Sequence, residues 1–244
     1  MTLDDDPGAR AAVERARALL AVRRFTEARE VLQPALASGH ETAEVWCLLG
    51  QAAYGQEADV AAMSAASRAI GLQPSYEWGH RLYAMAASRG GNHADADAAA
   101  RQAVALAPHE WRTHVTVSIV AGRRRPGCAE AVAAARQAVT LAPAAAEAHV
   151  VLADALLDAG KRHDARRHYD RALAIDPELA VAHNNRARLQ LRGGLSGRVL
   201  ADTASGFATS MRIDPRSGVG RRNIEIVTGV VVRRMAVVTL LDAW

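Results

Sequence analysis

The chain has few aromatic residues, one lysine and two cysteines. Only 4% of its 244 residues are aromatic although 50% are hydrophobic, so the apolar content is mainly Ala, Val and Leu. This composition favours slender helices that pack closely. It disfavours nucleic-acid binding, because single strands are held by stacking of bases on aromatic side chains. Cys47 and Cys128 are far apart and have no motif around them, which predicts buried thiols in a reducing compartment rather than a disulfide or a metal site.

The motifs of the common catalytic sites are also missing. The sequence contains no nucleophile elbow, phosphate-binding loop, HExxH motif or dinucleotide fingerprint. Gly90-Gly91 and Gly193-Gly194 follow no predicted strand and are interpreted as turns between helices. We therefore expect a protein that is not an enzyme, with no catalytic residue, no metal site, no cofactor and no small-molecule substrate.

The N-terminal residues and the distribution of charge bear on the location of the protein and on its partners. The first eight residues are acidic and polar, which predicts that the chain has no Sec-type signal sequence and is cytoplasmic. Residues 180–244 carry ten arginines against four acidic residues, a net charge of +6, whereas the remainder carries −2. This basic end is interpreted either as a solvated helical face or as a contact surface for an acidic partner, nucleic acid or a membrane.

Proline recurs in the chain at nearly constant intervals. The intervals are 34, 35, 34 and 38 residues, and the prolines are Pro74, Pro108, Pro143, Pro177 and Pro215. A period in the thirties is typical of stacked helical repeats. In the repeat that ends at Pro177, Gly160 is expected to separate a helix over 146–159 from one over 162–175.

The pattern inside each period resembles that of the tetratricopeptide repeat family. Residues 146–179 supply the family's positions 4, 7, 8, 15, 20, 24, 27 and 32 with His149, Leu152, Ala153, Gly160, Ala165, Tyr169, Ala172 and Pro177. The resemblance implies an all-α fold, a right-handed α-solenoid of about six helix-turn-helix units. The small residues at positions 8, 20 and 27 let the two helices of a unit approach closely.

The expected organisation is a disordered lead-in over 1–8, a repeat array over 9–215 and a basic, apolar C-terminal segment over 216–244. The units are 9–40, 43–76, 77–110, 111–145, 146–179 and 180–215. Two features depart from the family pattern. Position 24 is alanine in three units, at Ala66, Ala100 and Ala135, and Arg186 stands where leucine is expected.

Four histidines also follow the repeat. His80, His114, His149 and His183 are spaced by 34, 35 and 34 residues and share position 4 with Trp46. Neighbouring packed helices lie about 8–10 Å apart, whereas zinc ligands must all lie about 2 Å from one ion. The sequence therefore predicts that these rings pack between helices and do not bind a metal.

The resemblance further implies a binding surface, since the first helix of each unit lines a concave groove in this family. The predicted groove residues are Gln51, Tyr54, Trp78, Arg81, Met85, Asp154, Asn184, Asn185 and Arg188. The arginines would hold acidic groups and the asparagines the backbone of an extended peptide. The predicted function is a protein-interaction scaffold that binds a peptide or a partner helix.

The C-terminal segment leaves an alternative open. Residues 216–244 combine paired arginines, an apolar stretch and a terminal tryptophan. One interpretation is a helix that caps the repeat array, because an open terminal repeat exposes apolar surface. The other is a membrane-associated scaffold that contacts an anionic membrane surface. The apolar run after Arg234 is about ten residues, too short to span a bilayer, which takes about 20.

Overall fold

The computed structural model describes residues 7–191, 197–215, 223 and 225, which are α-helical with short turns. Twelve helices and no strand occur in these ranges, which confirms the predicted all-α fold. The helices are α1 (Pro7–Ala21), α2 (Phe25–Ala37), α3 (Ala43–Gly55), α4 (Asp59–Leu72), α5 (Glu77–Arg89), α6 (His93–Leu106), α7 (Trp111–Arg124), α8 (Ala129–Leu141), α9 (Ala146–Asp158), α10 (Arg162–Ile175), α11 (Ala180–Leu191) and α12 (Gly197–Ile213).

The chain divides into unit 1, Met1–Leu141, and unit 2, Ala142–Trp244. In unit 1 the helices pack in pairs in chain order, α1 with α2 through α7 with α8. In unit 2, α9 pairs with α10 and α11 with α12. Each pair corresponds to one predicted repeat.

The ends of the helices follow from local sequence. Gly160 has φ +76°, a left-handed conformation that glycine adopts without strain. The amide of Lys161 donates to the carbonyl of Leu156 at 2.8 Å, which closes the end of α9. At the other end of the chain, α1 begins at Pro7, inside the lead-in predicted for residues 1–8. Proline is favoured in the first turn of a helix because its fixed φ suits that position and its missing N–H has no partner to lose.

Alanine fills the closest contacts between paired helices. At positions 20 and 27 the alanines of α4, α6, α8 and α10 are at most 1% exposed: Ala62, Ala69, Ala96, Ala103, Ala131, Ala138, Ala165 and Ala172. The alanines at position 24, Ala66, Ala100 and Ala135, are also buried, as is Tyr169 at the equivalent place in α10. Small side chains at this position therefore still belong to the core.

The unexpected Arg186 has a partner on the neighbouring helix. Its guanidinium lies 3.1 Å from the carboxylate of Asp170 on α10, and both side chains are partly exposed. The position that carries leucine in the family pattern, as at Leu49 and Leu152, is thus occupied by a partly exposed ion pair in this repeat. Residues 192–196 and the C-terminal segment 216–244, apart from Asn223 and Glu225, lie outside the described residues, so the capping and membrane interpretations remain predictions.

Gly50 is required by the packing of α3 against its neighbours. A Cβ atom added there would lie 2.5 Å from Leu82 Cδ2 and 3.2 Å from Ala65 Cβ. We expect Gly50→Val to lower the free energy of unfolding by about 1–3 kcal/mol, because overpacking forces these side chains apart. Chemical denaturation measures the change. Gly71→Val is the matched control, since that helical glycine has no atom within 4 Å of the added Cβ; equal effects of the two substitutions would refute the steric explanation.

Candidate functional site

The first helices of the four repeats in unit 1 lie side by side. Helix α3 contacts α1 and α5, and α5 contacts α7. We call the surface that these four helices share the first-helix face. It includes the five groove residues predicted for this unit. Gln51 is exposed, whereas Tyr54, Trp78, Arg81 and Met85 are half-buried.

Tyr54 contacts an arginine from the next first helix, α5. The guanidinium of Arg89 lies over the Tyr54 ring, 3.6 Å from its centroid. Arg89 also donates to the Tyr54 carbonyl and to the Asp59 carboxylate, each at 2.6 Å. The cation is therefore neutralised by an acid while it covers one face of the aromatic ring. This arrangement fixes Tyr54 before any partner arrives.

A second arginine reaches the same ring from α7. Arg123 donates to the Tyr54 hydroxyl at 3.4 Å and to the Met85 carbonyl at 3.3 Å. Both acceptors are neutral, and Arg123 makes no ion pair with an acidic residue in the described part of the chain. Arg123 thus joins α3, α5 and α7 and keeps an exposed positive charge.

The sequence interpretation did not single out Arg89 and Arg123. Both occupy position 13 of successive repeats, one residue beyond the position that Tyr54 has in its own repeat. A search for charged residues that recur at one repeat position would have found them.

The other end of the first-helix face is aromatic. The rings of Tyr76 and Trp78 meet edge to face, 6.1 Å apart and at 76°. Both pack against the buried Cys47 of α3. Burial raises the pKa of the Cys47 thiol to about 12, although the positive charge of Arg81 opposes this shift. The thiol is therefore protonated at neutral pH and is a packing group, not a nucleophile.

Arg81 lies beside this aromatic cluster. It forms an ion pair with Glu77, one turn earlier on α5, at 3.1 Å. Its side chain is only 17% exposed, and its Nε is buried with no hydrogen-bond partner among the described residues. One donor of Arg81 is thus unsatisfied inside the protein, which costs free energy unless another group supplies an acceptor.

The predicted groove residues of unit 2 form a separate polar network. Asn185 Nδ2 donates to Asp154 Oδ1 at 2.9 Å and to Oδ2 at 3.2 Å. Tyr169 also donates its hydroxyl to this carboxylate. Asn184 Nδ2 donates to Asn185 Oδ1 at 3.1 Å, and Asn184 Oδ1 accepts from Asn223 at 2.8 Å. Helices α9, α10 and α11 are therefore joined by hydrogen bonds between side chains.

Burial governs the electrostatics of this network. Asn184 and Asn185 are 5% and 8% exposed, so their amides face each other and Asp154 rather than solvent. Burial raises the pKa of Asp154 to about 6, although the bonds from Tyr169 and Asn185 and the charge of Arg188 oppose the shift. Arg188, in contrast to the other predicted groove residues of unit 2, is exposed.

Comparison with known families identifies the repeats. The family model described as tetratricopeptide repeat matches residues 13–77, and a second model of the same description matches residues 146–179. The chain therefore contains tetratricopeptide repeats at these residues. No curated protein matches it in sequence.

Solved structures share the fold of this repeat protein. A tetratricopeptide repeat protein from Parabacteroides merdae ATCC 43184 matches with a TM-score of 0.73 at 11% identity over 93% of this chain and 88% of its own. A thermophilic TPR protein from Thermus thermophilus matches with a TM-score of 0.68 at 19% identity over 75% of this chain and 99% of its own. A chain of the APC/C hetero-tetramer Cut9–Hcn1 matches with a TM-score of 0.67 at 16% identity over 92% of this chain. The repeat protein spans 44% of that chain's length. These matches confirm the predicted α-solenoid.

The four periodic histidines of the repeat protein have a common structural partner. Each Nε2 lies 2.8–3.0 Å from the carbonyl of the proline six residues earlier, as in His80 with Pro74 and His183 with Pro177. Because a carbonyl only accepts, Nε2 carries the proton in each ring. The histidines therefore fasten the turn between repeats to the following helix. In the ranges that the structure describes, no group of three potential metal ligands occurs.

One histidine contact crosses between helices. His149 on α9 and His168 on α10 stack with ring centroids 5.4 Å apart, and their Nδ1 atoms are 3.1 Å apart. The sequence analysis did not predict this pair. No helix within the described ranges has the length and apolarity needed to span a membrane.

Proposed function

We propose that the repeat protein is a non-enzymatic adaptor that binds an extended segment or a helix of a partner protein on the first-helix face. Tetratricopeptide repeats are in general a scaffold for protein–protein interaction, and the chain contains them. The observation that carries the proposal is Arg123, which holds Tyr54 and Met85 together and has no acidic partner in the described ranges.

The chemistry of this surface suits a protein ligand. Tyrosine and arginine dominate the binding energy of protein interfaces, because they bury large areas and lose little conformational freedom. Tyr54 is already fixed by Arg89, so binding would cost little ordering of this side chain. Exposed Gln51 supplies an amide that both donates and accepts, which suits the backbone of an extended segment.

The ion pairs of the arginines on this surface indicate which kind of side chain the partner presents. Arg89 is paired with Asp59, and Arg81 with Glu77, whereas Arg123 near Tyr54 has no ion pair among the described residues. We infer that an acidic side chain of the partner contacts Arg123 while apolar side chains cover Met85 and Trp78. In unit 2, Arg188 offers an exposed cation, and Asp154, Asn184 and Asn185 hold its helix in place.

Peptide display on the full chain tests this proposal. Peptides selected from a random library are expected to contain acidic residues and to bind Tyr54→Ala about tenfold more weakly, because an interface anchor is worth about 1–2 kcal/mol. Arg123→Glu should weaken them at least as much, since it places like charges in contact. Fluorescence anisotropy with labelled peptides measures the dissociation constants.

Arg136→Ala is the matched control, because this exposed arginine lies on the second helix α8. It is expected to leave the affinity unchanged. Selected peptides that bind Tyr54→Ala and Arg123→Glu as tightly as the parent would show that another surface is used. Binding to anionic liposomes in place of any peptide would favour the membrane-associated alternative instead.

A further inference from the structure

A groove of about 480 Å³ lies away from the first-helix face, between the second helices α4 and α6 and above α5. Its apolar lining includes Ile70, Tyr83 and Ala98, and its polar lining includes His80, Asp95 and Gln102. We call it the outer groove. Among the described residues, Asp95 is its one charged lining residue, and no lysine or arginine lines it although the chain has 30 of them. The groove therefore has a negative character.

The histidine in the groove, His80, has one ring nitrogen left, which can accept a hydrogen bond when the ring is neutral. His80 Nε2 lies 3.0 Å from the Pro74 carbonyl, so its proton is used there and Nδ1 of the neutral ring is an acceptor. His80 thus adds an acceptor, not a donor, to the groove. A ligand that donates several hydrogen bonds fits this lining better than one that accepts them.

Asp95 is available for such a ligand. It is exposed in the first turn of α6, and it has no ion pair or side-chain hydrogen bond among the described residues. On α4, Arg68 follows the lining residue Ser67 in sequence and is paired with Glu41, with Nε 3.2 Å from the carboxylate. Within the described part of unit 1, no arginine forms an ion pair with Asp95.

We propose that the outer groove binds an arginine side chain of a partner protein. The guanidinium is planar and donates up to five hydrogen bonds, so it can lie on the half-buried Tyr83 ring and pair with the Asp95 carboxylate. Its three methylene groups match the apolar surface of Ile70 and Ala98. A lysine would pair with Asp95 but would gain less from the Tyr83 ring, because its ammonium is not planar. This site is independent of the first-helix face, so either proposal can fail alone.

Titration of the full chain with N-acetyl-arginine amide, followed by proton–nitrogen correlation spectra, tests the proposal. Saturable shifts are expected at the amides of Ile70, Tyr83 and Asp95. The neutral analogue N-acetyl-citrulline amide should bind about fivefold more weakly, because it has the same shape without the charge. Asp95→Asn should weaken binding of the arginine compound to a similar degree. Tyr83→Leu should weaken binding of the arginine compound more than that of N-acetyl-lysine amide.

Glu30→Gln is the control, since it removes one exposed negative charge on α2. It should leave the arginine affinity unchanged. The proposal is overturned if the arginine compound gives no saturable shift, if citrulline binds as well, or if Asp95→Asn has the same affinity as the parent. Tighter binding of N-acetyl-phenylalanine amide would also overturn it, because the groove would then be an apolar docking site.

Discussion

Leu152→Asp is expected to unfold unit 2 at temperatures where the parent chain is stable. Leu152 is 3% exposed in α9, and this helix packs against both α10 and α11. Removing a buried leucine costs about 2–5 kcal/mol, and an unpaired carboxylate in its place adds a further desolvation cost. We expect a total above about 4 kcal/mol and a fall in melting temperature of at least about 10 °C.

The loss should extend beyond the substituted helix. In a repeat array each repeat is stabilised by the interface with its neighbour. Breaking the α9–α10 repeat therefore also removes the contacts of α9 and α10 with α11. Melting followed by far-ultraviolet circular dichroism measures both the temperature and the helix content that is lost. We expect several helices to lose their circular dichroism signal together in one transition.

Val60→Asp is the control. It introduces an aspartate at an exposed position, so it separates the effect of burial from the effect of the introduced charge. Val60 is 81% exposed in the first turn of α4, where a negative charge is favoured by the helix dipole. This variant should melt within a few degrees of the parent. An unchanged melting temperature for Leu152→Asp would contradict the assignment of Leu152 to the core of its repeat.

Local sequence predicts the helices well because their ends are determined locally. The helix predicted over 162–175 is the observed α10, Arg162–Ile175, and Gly160 separates it from α9 as expected. The turn glycine, the proline after the second helix and the small residues at the helix contact all act within one repeat. No information about neighbouring repeats is needed to place them.

The geometry of the candidate sites depends on contacts between repeats. Asn185 meets Asp154, 31 residues earlier, and Arg123 meets Tyr54, 69 residues earlier. Which side chains meet depends on the rotation of one repeat against the next, which is set by the whole packing interface. The repeat pattern therefore predicted that these residues lie on the first helices of their repeats but did not predict that Asn184 and Asn185 are buried. Their role in binding stays a prediction.

Asp154→Asn is expected to be more stable than the parent chain at pH 8. The folded protein holds the pKa of Asp154 at about 6, above the ordinary value of 3.8, because burial disfavours the charged carboxylate. A raised pKa means that the folded state keeps its proton between about pH 4 and 6 while the unfolded state has lost it. The stability due to the neutral carboxyl is complete below the unfolded pKa and is lost as the pH rises through about 6.

The shift sets an upper limit of about 3 kcal/mol on the effect, at about 1.4 kcal/mol for each pKa unit. Asparagine is neutral at every pH, so the variant avoids this cost of ionisation. Its Oδ1 can still accept from the Tyr169 hydroxyl, which donates to Asp154 in the parent. Its Nδ2, however, would face the donating amide of Asn185, and turning that amide would break the bond from Asn184. The net gain at pH 8 should therefore be smaller than the limit.

Chemical denaturation at several pH values between about 4 and 8 measures the difference between variant and parent. The difference in the free energy of unfolding should grow in favour of the variant between about pH 4 and pH 6. Glu178→Gln is the control, because this exposed carboxylate of unit 2 makes no side-chain bond among the described residues, and its difference should stay flat. A flat difference for Asp154→Asn would mean that the hydrogen bonds from Tyr169 and Asn185, with the charge of Arg188, fully offset the burial of the carboxylate. The network would then be a stabilising support of α11 at all pH values, and unit 2 would have no reason to loosen as the pH rises.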